Sequence, residues 1–340
     1  MSVSQPLDDT VQSLDEAAPD TESTRVVTPD ATAIREAATI LRHGGLVAFP
    51  TETVYGLGAN ALDAKAVARI YAAKGRPHTS PLIVHVPDVE AARQLAATWP
   101  ESAQKLAAAF WPGPLTLVLP KVSAIPDIVT AGLPSVGLRV PNHPIALDLL
   151  REAAVPVAAP SANRFMGISP TLAGHVAHAQ MQGASLVLDG GPSDVGLEST
   201  VISLTGPFPV LLRPGAISQE QIATVTGQTV ETVAQVAEDE AHAAPGMHAR
   251  HYSPRTPLVI LRPEDPLPAG RFVWLGWHTP RKADRLISMP ETAEGYARML
   301  YQALHTADAM SLDLIVVEAP PQQSEWTHVW DRLHRAATKL

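Results

Sequence analysis

The segment KGRPHTSPLIVH, residues 74–85, sets Lys74 and Arg76 two positions apart, just ahead of an apolar run that ends in His85. Short loops rich in proline, glycine and serine lie beside other apolar runs: FPTETVYG, WPGPLTLVLP, SVGLRVPNHP, APSAN, ISPT, GLESTV and LRPGAI. Such loops gather backbone N–H groups, hydroxyls and single cations around one cleft while rigid strands fix their positions. Lys74, Arg76, Arg139 and Arg213 all belong to this pattern. The commoner fate of any one such cation is a solvated surface charge. Four converging on one cleft would bind a polyanion, and phosphate matches guanidinium forks and ammonium heads best.

Other motifs compete for chemical meaning. GLGANA (56–61) has the letters of the G-x-G-x-x-A dinucleotide fingerprint, but PTETVY separates it from the preceding apolar run and no acid lies between Asp63 and Asp88 to grip a ribose. The expectation for these glycines is a tight bend after an extended segment. No G-x-x-x-x-G-K-[ST] loop occurs, which excludes a P-loop site. Neither Ser161 in PSAN nor Ser199 in LEST has the flanking glycines of a nucleophile elbow, so turn chemistry and ligand binding both stay open for them. His175 with His178, and His248 with His251, are spaced i,i+3 without a third ligand in view, which favours solvated or capping histidines over a metal site. DGGPSDVG (189–196) alone reads as a turn.

Around these loops, Thr28-Pro29 offers a capping hydroxyl and a first-turn proline for a helix that Gly44 closes, and Asp63 and Gly75 bracket a second helix. Apolar runs at LVAF, PLIVHV, LTLVL, VGLRV, VPVAA, SLVLD, STVISL and PVLL predict the strands of a sheet-centred α/β domain over 28–228. Residues 229–257 have linker composition, VAEDEAHAAPG followed by MHARHYSPRTP. LVIL, RFVWLGW and LDLIVVEA, with a helix near ETAEGYARMLYQALHTAD and a last one at VWDRLHRAATKL, predict a smaller α/β unit over 258–340.

The 340 residues, 46% hydrophobic, are enough for two cores. A net charge of −9 argues against a protein that coats nucleic acid, so any cationic site must be local. The absence of cysteine removes disulfides, thiolate nucleophiles and cysteine metal sites, and suits a cytoplasmic location. The first 24 residues hold six carboxylates and no lysine or arginine, so residues 1–27 are expected to form a disordered acidic tail rather than a signal peptide. No apolar run is long enough to suggest a membrane span.

From residue 28 to 340 the chain resembles the YrdC-like family of threonylcarbamoyl-AMP synthases in its long two-domain form. FPTETVYGLG, KGRP followed by PLIVH, WPGPLT, APSAN, GLESTV and LRPG stand in family order, PGMHARHYSPRTPL resembles the linker of the long form, and DRLHRAA the end of its C-terminal domain. The resemblance implies a YrdC-like twisted mixed sheet and a second, smaller Rossmann-like α/β domain. It implies condensation of L-threonine, bicarbonate and ATP, with magnesium, to threonylcarbamoyl-adenylate and pyrophosphate, the product passing to a separate transferase that modifies tRNA. Lys74, Arg76, Ser161 and Asn163 would be the catalytic signature. Thr51, Thr53, His85, Arg139, Ser161 and Ser199 would surround threonine. Lys74, Arg76, Ser80, Ser135, Asn163, Thr171, Arg213 and Tyr252 would line the ATP side. Separately, the position of HARHYSP between the two domains gives the expectation that it folds back over the cleft as a lid. The alternative from another class is an RNA-binding module with a cationic groove, which calls for an extended basic stripe that these interrupted cations do not supply. A carbamoyl-transfer domain of a metal-centre maturation enzyme shares the core fold but normally sits in a larger chain that carries cysteine.

Overall fold

Apolar runs too short for helices, bounded by proline and glycine, become the buried strands of a large sheet. The computed structural model describes residues 24–179, 183–232, 251–278, 280 and 282–338. Eleven strands belong to the first sheet: β1 Arg25–Val27, β2 Leu46–Phe49, β3 Gly56–Asn60, β4 Ile83–His85, β5 Leu115–Pro120, β6 Ser135–Arg139, β7 Val157–Ala158, β8 Ala184–Leu188, β9 Thr200–Ser203, β10 Val210–Arg213 and β11 Glu231–Thr232. Their spatial order is β1-β8-β2-β3-β7-β4-β6-β5-β9-β10-β11. The sheet is mixed, with β4 parallel to β6 and β5 to β9, while β2 with β3 and β5 with β6 run antiparallel. One apolar cluster packs helices Ala64–Lys74 and Glu101–Phe110 against it, and another packs Ala31–Arg42 and Pro144–Ala153.

The second sheet contains β12 Leu258–Leu261, β13 Phe272–Gly276, β14 Arg285–Ser288 and β15 Leu314–Glu318, in the order β12-β15-β13-β14, all parallel. Helices Ala293–Ala309 and Thr327–Ala336 contribute to its core. That core also takes Val54, Ile168 and Leu197 from the first unit and Tyr252 from the connection, so the two units share apolar packing. Gly196, at φ +77°, lies where a Cβ would come within 2.5 Å of the Arg298 Cα, so the loop meets helix Ala293–Ala309 backbone to backbone. Among the described residues no helix is long and apolar enough to cross a membrane.

Four local expectations are corrected. The first helix is capped by Asp30, not Thr28: its carboxylate accepts from Thr32 N and Ala33 N at 2.9 and 2.8 Å, a pair of bonds that a carboxylate three residues before Ala33 is placed to make. GLGANA is a strand rather than a bend. At Gly58 a Cβ would stand 2.8 Å from both Phe49 Cε1 and Val157 Cγ1, so glycine lets β3 pass between the side chains of β2 and β7. Within the expected tail, Arg25–Val27 pairs in parallel with β8, because β8 would otherwise leave an unpaired edge; residues 1–23 lie outside the described residues. Within the expected linker, Glu231–Thr232 extends the first sheet beside β10; His248 and the rest of 233–250 lie outside the described residues.

Candidate functional site

The threonines after β2 fix one wall of the cleft. Thr51 Oγ1 donates to Val54 O at 2.7 Å and accepts from the N–H groups of Thr53 and Val54 at 3.2 Å each. It also lies 2.8 Å from Thr53 Oγ1. The Thr53 hydroxyl, which can serve as donor or acceptor, lines the cleft.

Strand pairing sets the next two residues side by side: His85, ending β4, is in register with Arg139, ending β6. Burial, and then the Arg139 charge, push the His85 imidazole down to about 3, so it is neutral at physiological pH. Arg139 Nε donates to Gly113 O at 3.3 Å, and its Nη2 lies 2.8 Å from Glu52 Oε1. That approach is close but out of line, leaving both Glu52 oxygens and Arg139 Nη2 without a hydrogen bond: an ion pair held by charge alone.

Across the cleft, Arg213 ends β10 and donates through Nε to Ser199 O and through Nη2 to Ser199 Oγ, each at 3.1 Å. The Ser199 hydroxyl is also 2.8 Å from Thr116 Oγ1. Arg76 follows Gly75, whose left-handed conformation (φ +62°) terminates helix Ala64–Lys74 and turns the chain toward the cleft. Its Nη2 donates to Ser80 Oγ and Pro81 O, and burial lowers its guanidinium to about 10. A cleft of about 550 Å³ is lined by Thr51, Thr53, Arg76, His85, Arg139, Ser161, Ser199, Arg213 and Tyr252, and so brings together nine of the residues singled out from sequence.

The remaining five sit elsewhere. Lys74 is directly behind the lining: its ammonium donates to the carbonyls of Ser161 and Asn163, and burial, then Arg76, lower it well below the usual lysine range. It holds the PSAN turn from beneath. Asn163 accepts from Ser161 Oγ and donates to the carbonyls of Arg164 and Gly167, fixing the same turn. Ser80 backs Arg76. Ser135 borders a separate cavity of about 270 Å³ that shares Ile83 with the main cleft. Thr171 is buried with its hydroxyl unpartnered, while its N–H donates to His175 Nδ1.

Two carboxylates escaped the sequence reading. Glu52 faces Arg139, and Glu198 lines the cleft itself while bound to Arg332 of the second unit. Each stands beside a hydroxyl already singled out, Thr51 or Thr53 and Ser199, but its arginine is far away in sequence, so no spacing signalled the pair. The buried guanidiniums of the cleft, no more than 6% exposed, form an enclosed anion site rather than a stripe for a nucleic-acid backbone.

A cleft of this kind, on a mixed α/β sheet whose unit packs against a second, parallel α/β unit, defines an enzyme that handles a small anionic substrate. Residues 39–215 match the family model described as telomere recombination, and residues 217–338 that described as the threonylcarbamoyl-AMP synthase C-terminal domain. The chain is 42% identical over 318 residues to the threonylcarbamoyl-AMP synthase of Pyrococcus abyssi, covering 89% of this chain and 94% of that one. It is 44% identical over 321 residues to that of Bacillus subtilis, covering 89% and 92%. A crystal structure of P. abyssi Sua5 complexed with L-threonine superposes with a TM-score of 0.86 at 40% identity, covering 92% of this chain and 98% of that one. The chain belongs to the threonylcarbamoyl-AMP synthase family, in its long two-domain form.

Proposed function

We propose that the cleft condenses L-threonine, bicarbonate and ATP to threonylcarbamoyl-adenylate and pyrophosphate, the activated group that a downstream transferase places on tRNA. The observation that carries this reading is the convergence of Arg76, Arg139 and Arg213, at 6%, 4% and 4% exposure, on one cleft floored by threonine and serine hydroxyls. Arg139 takes the threonine carboxylate in a fork that a lysine could not copy. The Thr53 hydroxyl and the neutral imidazole of His85 suit the uncharged polar groups of the amino acid. Arg76 and Arg213 take the nucleotide phosphates, and the PSAN turn, braced by Lys74, lies between the two substrates.

The chemistry needs no protein nucleophile. The amine of threonine condenses with bicarbonate to a carbamate with loss of water, and a carbamate oxygen then attacks the α-phosphorus of ATP as pyrophosphate leaves. Two anions must approach, so fixed guanidiniums and orientation supply the catalysis. The carbamate and the mixed anhydride both hydrolyse readily, which suits a cleft with buried walls, one of them Tyr252 of the connection. Both carboxylates of the site are taken up by arginines, and no group of three or more metal-ligating side chains occurs among the described residues. Magnesium would come with ATP as part of that substrate and would offset charge on its phosphates.

The test is pyrophosphate release by the purified protein given ATP, L-threonine, bicarbonate and magnesium. Release should require both threonine and bicarbonate, and Arg76→Ala should abolish it. Turnover of ATP without either co-substrate would overturn the reading.

A further inference from the structure

Glu198 belongs to the first unit, yet most of its hydrogen bonds come from the second. Its Oε2 accepts from Arg332 Nε at 2.8 Å and from the Tyr301 hydroxyl at 2.9 Å, and its Oε1 accepts from Ser169 Oγ at 2.6 Å. Arg332, on helix Thr327–Ala336, is completely buried, and its Nη2 also reaches Glu198 O at 3.4 Å. The guanidinium lies 5.3 Å from the centre of the Tyr252 ring, within cation–π range. Its Nη1 bonds Asp331 Oδ2 at 2.5 Å.

On the cleft side, the next residue, Ser199, carries Arg213 on its carbonyl and hydroxyl. The charges thus alternate from the second unit to the substrate: Arg332, Glu198, Arg213. Burial by itself raises the Glu198 carboxyl, but Arg332 and Arg213, with the Ser169 hydrogen bond, together hold it below its ordinary value. A buried carboxylate that loses one counter-charge draws harder on the other. Without Arg332, Glu198 would pull Arg213 off Ser199 and away from the anion it is placed to meet.

We propose that Arg332 is a positioning residue for the ATP side of the cleft: by balancing Glu198 and seating the Tyr252 ring, it lets the second unit hold Arg213 and Ser199 in their binding positions. This rests on the cleft being the ATP site.

The experiment is calorimetric titration of MgATP into the full chain as wild type, Arg332→Met, Glu198→Gln, and Glu198→Gln with Arg332→Met. Arg332→Met should weaken binding about tenfold or more. The double variant, which removes the charge that Arg332 balances, should recover most of that loss, whereas lost packing alone would be shared by both proteins. A folded Arg332→Met that binds like wild type, or a double variant no tighter than the single one, overturns the proposal. Should Arg332→Met fail to fold, the double variant is compared with Glu198→Gln: binding within a few-fold supports charge balance, and a tenfold deficit overturns it. No binding by wild type would overturn the ATP reading, and with it this proposal. Wild-type binding left unchanged in Arg332→Met overturns this proposal alone.

Discussion

Among single residues, Glu52 poses the sharpest physical problem, because both its oxygens are buried and its one ion pair among the described residues is with the Arg139 guanidinium at 2.8 Å. An ion pair so enclosed is costly to assemble, but breaking it by removing one partner is worse, at about 3–5 kcal/mol, since the surviving charge stays buried. Glu52→Gln should therefore lower unfolding stability by roughly 3 kcal/mol in urea. It should also enlarge the rise in melting temperature on adding L-threonine, because a substrate carboxylate restores the missing counter-charge. An unchanged urea midpoint together with an unchanged threonine shift would mean that the pair contributes nothing. His85 illustrates the complementary case: a histidine held neutral beside an arginine offers hydrogen bonding to substrate without adding a fourth repelling cation to the lining.

At the scale of elements, glycines separate close packing from backbone need. Gly58 in β3 is confined by Phe49 and Val157, whereas a Cβ on Gly191, at φ +77°, would have nothing within 4 Å. Gly58→Ala should cost about 1–3 kcal/mol through overpacking. Gly191→Ala should cost about 1–2 kcal/mol through left-handed strain alone. Crystal structures of the two variants would distinguish the causes: displaced Phe49 or Val157 side chains in the first, an altered local backbone in the second. Much of the framework was legible because apolar runs flanked by proline and glycine are a strong strand signal, and Asp63 with Gly75 bracketed its helix as expected. β14 was not legible, since Arg285–Ser288 is a largely exposed edge strand with no apolar run. The site's cations could be read from their loops, but Glu198 could not, because its partner Arg332 is 134 residues away. Pairings of that range are set by the docking of units, which local periodicity does not encode.

For the whole molecule, the shared core makes the second unit part of the first one's stability. Cutting the chain after Thr232 would bare Val54, Ile168 and Leu197 and strip Glu198 of both Arg332 and Tyr301. The fragment should melt well below the full chain and release no threonine-dependent pyrophosphate; full activity would show that the second unit is dispensable. The same junction should respond to acid. His175 of the first unit stacks on His305 of the second at 3.9 Å between ring centres, with Nδ1 accepting from Thr171 N while His305 Nε2 meets Ser169 O at 3.2 Å. A second proton on His175 would point at an N–H donor, beside His305 and His178, with Asp308 the carboxylate in the field of His305. Burial, then His305 and His178, lower His175 to about 3, and burial lowers His305 as well. The unfolded chain thus binds protons near pH 6.5 that the folded one refuses, so stability is complete above that pH and falls as pH drops from about 6.5 toward 3. His85, lowered to about 3 inside the cleft, adds to the slope with the same sign. His305→Phe keeps the stacking and removes one titrating ring, so its melting temperature should fall less steeply between pH 7 and 4.5 than that of wild type. Parallel curves would show that the imidazole pair does not carry the acid sensitivity of the junction.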